Sequence, residues 1–131
     1  MARTLFIGAL CILLSCNSKP APPRNDMHVT AATLLTERYE TSPFAAWHVR
    51  ATAAGSDCSA LVLQTGIILE DSMIETMHYG AGAYNNIIPG GVKKFLTDYA
   101  FRGVIYEDVS GRKWTYGVVT EREKEEVTRC Q

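Results

Sequence analysis

Residues 61–69, LVLQTGIIL, are apolar at almost every position, interrupted by Gln64 and Thr65. A half-exposed strand alternates, so a run this continuous suits a central strand covered on both faces. The segments around it show other periods. Met27, Ala31, Leu34 and Leu35 share one helical face, and Ser42-Pro43 stops that helix. Trp47, Val49 and Ala51 alternate with His48, Arg50 and Thr52 in strand fashion. Asp71 or Ser72 can cap a second helix, with Ser72 and Glu75 at capping-box spacing and Met73, Ile74 and Met77 as its apolar stripe. Gly80 can end it in a left-handed conformation. After a Gly/Asn/Pro loop from Gly80 to Gly91, residues Val92, Phe95, Leu96 and Tyr99 return to helical spacing. Strands over 104–106 and 114–119 flank a hairpin turn at Asp108-Val109-Ser110-Gly111. Thr120 with Glu123 opens a terminal helix that runs through Thr128. The order is α-β-β-α-α-β-β-α. It predicts an α+β fold, a small four-stranded, mostly antiparallel sheet with helices packed on one face.

The chain has 131 residues, a single-domain length. Its 13 Lys+Arg against 14 Asp+Glu leave no basic surplus for nucleic acid, and none is expected as a partner. Hydrophobic residues make up 47%, enough to exclude a chain disordered throughout.

The first residues have a separate logic. Arg3 precedes an apolar run, LFIGALCILL, over residues 5–14, and no acidic residue appears before Asp26. Ten residues are too few to span a hydrocarbon core of about 30 Å but suit a secretory signal. The run ends Leu13-Leu14-Ser15-Cys16. This resembles the lipobox of bacterial lipoprotein precursors: an aliphatic residue three before the cysteine, a small one directly before it, then cysteine. The resemblance implies cleavage after residue 15 and a diacylglyceryl group on Cys16. Lipid on Cys16 would make the membrane a partner and place the protein in the cell envelope. Asn17, where aspartate usually marks inner-membrane retention, leans toward an outer membrane facing the periplasm in a Gram-negative cell. Residues 1–15 are then signal peptide. Residues 16–26 are the lipidated cysteine and a Pro-rich tether, extended by Pro20, Pro22 and Pro23. Residues 27–131 form one α+β domain.

Export simplifies the cysteines. The resemblance implies that Cys11 leaves with the signal and Cys16 carries lipid, which would leave Cys58 and Cys130 as one pair in an oxidising compartment. Their bond would close a loop of about 73 residues, worth roughly 4 kcal/mol in the chain-entropy model. The Cys/His spacing of a structural zinc site is absent, so no metal and no cofactor is expected.

Three groups could carry chemistry. Glu75 and His78, with Tyr79 and Tyr84, surround a helix end, where a carboxylate one turn from an imidazole can raise its pKa and orient it as a base. The plainer role for His78 is at the helix terminus, cationic against the last carbonyls, giving stability present at low pH that fades as pH rises. Gly90, Gly91 and Lys93 precede or open a helix and could hold an anion on free backbone amides, although the strict phosphate-loop motif is missing. Trp47, Tyr106, Trp114 and Tyr116 could form an aromatic platform or simply pack across strands. No nucleophile completes a catalytic set. The reading is a lipid-anchored, non-enzymatic envelope protein whose domain binds a protein partner or an envelope polymer. The alternative is a small envelope hydrolase or transferase using His78 with Glu75.

Overall fold

The computed structural model describes residues 23–55 and 58–130. Its helices are α1 (Pro23–Glu40), α2 (Asp71–Tyr79), α3 (Gly91–Asp98) and α4 (Glu121–Thr128). Its strands are β1 (Arg50–Ala53), β2 (Ala60–Gln64), β3 (Gly103–Glu107) and β4 (Lys113–Gly117). Short 3-10 turns at Ala45–Trp47 and Gly82–Asn86 complete it. Together they make an α+β fold in the expected element order. Among the described residues no helix is long and apolar enough to cross a membrane.

The sheet order is β1-β2-β3-β4. The outer pairs are antiparallel and the central pair, β2 with β3, is parallel. A parallel pair needs a crossover, which α2 and α3 supply. The central strands are correspondingly apolar: Ala60, Leu61 and Leu63 of β2 and Val104, Ile105 and Tyr106 of β3 are buried. The run from residue 61 gives only the first part of its length to the sheet. Beyond Gln64 it leaves as a loop stitched on both sides, with Gly66 N–H donating to Trp47 O and Val109 N–H to Ile67 O.

Two clusters separate the faces of the sheet. Leu61, Leu63, Val104 and Tyr106 pack with α1, α2 and α3. Ala60 and Ile105 point the other way and meet Val127 of α4. The expected one-face layering therefore holds for three helices, and the fourth covers the opposite face. Glycines make the approach possible. A Cβ on Gly117 would lie 2.7 Å from the Lys124 amide nitrogen, and one on its register partner Gly103 would lie 2.7 Å from Val127 Cγ2. Cys58 and Cys130 form a disulfide pair at this face, Cα atoms 6.0 Å apart, tying the end of α4 to the approach of β2.

Several boundaries differ from the sequence reading. The helix expected from Met27 starts at Pro23, where a missing amide costs nothing, so residues 23–26 of the expected extended tether are helical. The buried face of α1 is His28, Ala31, Ala32, Leu35 and Tyr39 rather than a stripe through Met27, because the His28 ring stacks on Phe101 at 4.0 Å. The first strand starts at Arg50, after a tight turn that leaves His48 left-handed at φ 53°. The Ser72–Glu75 capping box does not form. Glu70 is the N-cap and makes no side-chain cap bond. The Leu69 amide is instead bound at 3.1 Å by Asp108 Oδ2, which sets the chain into α2 early. The Thr120–Glu123 box forms in full, and Gly80 ends α2 at φ 75°.

Candidate functional site

The last turn of α2, the first turns of α3 and the segment from β4 into α4 enclose a cleft of about 300 Å³. His78 and Tyr116 form its floor, Tyr79 and Lys93 one side, and Val119, Glu121 and Lys124 the other. The packing of α2 against α3 is backbone on backbone. A Cβ on Gly91 would sit 2.5 Å from the Gly80 nitrogen, so both positions require glycine, and Lys93 is held two residues away.

His78 is 1% exposed. Its ring stacks on Tyr116 at 4.3 Å, meets Tyr79 edge-on at 4.9 Å, and pairs through Nδ1 with the Tyr106 hydroxyl at 3.0 Å. Burial, reinforced by the Lys93 charge, holds its pKa down at about 4. The ring is neutral at pH 7. Burial pushes the Tyr106 phenol well above its ordinary value. The expected cationic cap is therefore corrected. The helix end is closed by the Gly80 amide donating to Thr76 O at 2.8 Å, while the imidazole turns inward to Tyr106. Desolvation outweighs the helix dipole here. Glu75 is exposed and is not a hydrogen-bond partner of His78. Tyr84 sits elsewhere, stacked on Phe44 at 4.3 Å.

The Gly90-Gly91 amides are both occupied inside the protein. Gly90 N–H donates to Asn85 Oδ1 at 3.1 Å and Gly91 N–H to Ile88 O at 2.8 Å. Neither is free to cradle an anion, and of that trio only Lys93 faces the cleft. The four aromatic residues also part company. Tyr106 and Tyr116 hold His78, and Trp47 joins Phe44 and Tyr84. Trp114 donates to Asp71 Oδ1 at 2.8 Å beneath the Arg112 guanidinium.

A second cavity, about 370 Å³, lies at the carboxyl ends of the parallel strands, lined by His48, Arg50, Gln64 and Glu107 among others. Its polar groups are mostly engaged. Gln64 Nε2 donates to Glu107 Oε1 at 3.1 Å. Asp108 accepts from the Ser110 hydroxyl and from the Leu69, Ser110 and Arg112 amides, which holds its carboxyl below the usual range. In the His78 cleft, by contrast, Lys93 and Lys124 enter no ion pair among the described residues. Sequence reasoning did not find Lys124, Val119 or the role of Asp108. The capping box at Thr120 located the start of α4, but nothing in the spacing placed that helix beside α2.

Among the described residues no group of three His, Cys, Asp or Glu side chains is arranged to hold a metal ion. No family model, curated protein or solved structure matches the chain.

Proposed function

We propose that the chain is a lipid-anchored cell-envelope protein whose domain is a non-enzymatic binding module, with the His78 cleft as its contact surface for a protein partner or an envelope polymer. One observation carries the binding reading. The one candidate base is packed away as a neutral wall group, while Tyr79 and Val119, 58% and 78% exposed, stand at the rim beside two lysines. Exposed aromatic and apolar groups at a concave site are the ordinary currency of recognition. A general base needs an orienting carboxylate and a nucleophile within reach, and Glu75 does not serve His78 in that way. The anchoring part of the proposal rests on the Leu13-Leu14-Ser15-Cys16 motif, which lies outside the described residues.

A photo-crosslinking amino acid at Tyr79, in cells carrying the full chain, tests the binding surface. The expected result is a discrete crosslinked species that is absent when the same group stands at exposed Arg129, on the far end of α4. Equal, diffuse labelling from both positions overturns the assignment.

A further inference from the structure

We infer that the His78 cleft takes an oxyanion, a carboxylate or phosphate group carried on a ligand whose apolar part lies against Tyr79 and Val119. Tyr106 is fully buried, and its hydroxyl is paired with His78 Nδ1. If Nδ1 carried the proton, both the phenol O–H and the Nε2 lone pair would lack a partner, whereas with the proton on Nε2 only the Nε2–H is left over. The phenol therefore donates to Nδ1, and the imidazole proton sits on Nε2. Nε2–H is thus the ring's remaining donor, on a residue that is only 1% exposed yet lines the cleft. It is a donor, fixed in direction by Tyr106 on one side and by stacking on Tyr116.

The rim adds donors of the same sense. Lys93 reaches over the Tyr79 ring, its Nζ 6.0 Å from the ring centre. Lys124 faces it from α4. Against these two ammonium groups the lining holds a single carboxylate, Glu121, so its formal charge is +1. A preformed N–H donor at the bottom of a small cleft, with two flexible cations at its mouth, matches a ligand oxygen that is negatively charged and partly desolvated. The tyrosine ring and Val119 then supply apolar contact for whatever carries that oxygen.

The inference rests on the cleft being the binding surface, and the two can fail separately. Benzoate, phenyl phosphate and the uncharged benzamide are titrated into the full chain in non-ionic micelles, and the nitrogen signals of the His78 ring and of the lysine ammonium groups are followed by NMR. Saturable shifts at His78 Nε2, Lys93 and Lys124 with benzoate or phenyl phosphate, and none with benzamide, are expected. Whichever of the two anions binds tells a carboxylate ligand from a phosphate one. The double variant Lys93→Gln/Lys124→Gln should keep its unfolding midpoint and bind about tenfold more weakly, while Lys113→Gln on β4 should bind as the parent does. Absence of saturable shifts with both anions, equal shifts with benzamide, or full affinity in the double variant overturns the inference. A position-specific crosslink at Tyr79 alongside any of those results would retain the cleft and remove the oxyanion.

Discussion

At the scale of single residues, His78 shows how burial reverses a sign. An imidazole in the unfolded chain titrates near 6.5, and in the fold at about 4. Above 6.5 both states are neutral and stability is undiminished. Between 6.5 and about 4 the unfolded chain takes up a proton that the folded protein refuses, so stability falls as the medium is acidified, by at most about 3 kcal/mol. Denaturant unfolding across that range should show the fall, superimposed on the carboxylate contribution at the acid end. His78→Phe should remove this part of the slope, and it should cost about 2 kcal/mol at pH 7 by stranding the Tyr106 hydroxyl. An unfolding free energy that rises on acidification from pH 7 would contradict the assignment. Thr36 has a different task. Its hydroxyl accepts from Ala51 N–H at 2.8 Å, with Ala32 O at 3.1 Å and Ala51 O at 3.2 Å sharing its own proton, and so engages the Ala51 amide on the open side of edge strand β1. Thr36→Val should lower stability by about 1–2 kcal/mol and speed amide exchange at Ala51, since an unpaired edge admits water.

Among the elements, α4 is the one that depends most on the covalent link and on missing side chains. Gly103→Ala would push a methyl into the Tyr116 carbonyl and Val127, and should cost about 3 kcal/mol, read as a lower thermal midpoint. Paired replacement of Cys58 and Cys130 by Ala should cost a similar few kcal/mol and raise exchange throughout α4 before the rest of the fold. What was legible in the sequence follows the same division. Local signals read correctly: the Thr120–Glu123 box, the Gly80 terminus, the hairpin at 108–111 and the apolar runs of the central strands. The signals that failed were overridden by partners distant in sequence. Ser72 lost the cap because Asp108, 36 positions on, already held the chain at Leu69. The layering of α4 was half written in the continuous run at 61–63. Val62 and its neighbour Ala60 face the side that only α4 covers, and Gly103 and Gly117 leave room for it, but a glycine in a strand does not announce what approaches it. The cleft was least legible of all. His78, Lys93 and Lys124 lie on three helices, and their meeting is a consequence of packing that no local period encodes.

For the molecule as a whole, the proposal joins an anchor to a small recognition surface. If Cys16 bears the lipid, Cys16→Ala should move the protein from the membrane fraction to the soluble one and abolish the change in mass that acylation brings; a variant that stays fully membrane-bound with unchanged processing would refute the anchor. The domain that follows puts two exposed apolar groups, Tyr79 and Val119, together with Lys93 and Lys124 at the junction between α2, α3 and α4, and places the His78 ring beneath them as a neutral donor. The proposed binding module needs that ring to stay neutral, whereas in a small hydrolase the same imidazole must gain and lose a proton near neutral pH. The most direct test is therefore the state of the His78 ring itself, followed by nitrogen NMR in the full chain from about pH 8 down to about pH 5. The binding account predicts one unchanging neutral tautomer, with the proton on Nε2 and Nδ1 accepting from Tyr106. A ring that carries its proton on Nδ1, or that titrates with a midpoint near or above 6.5, would contradict it.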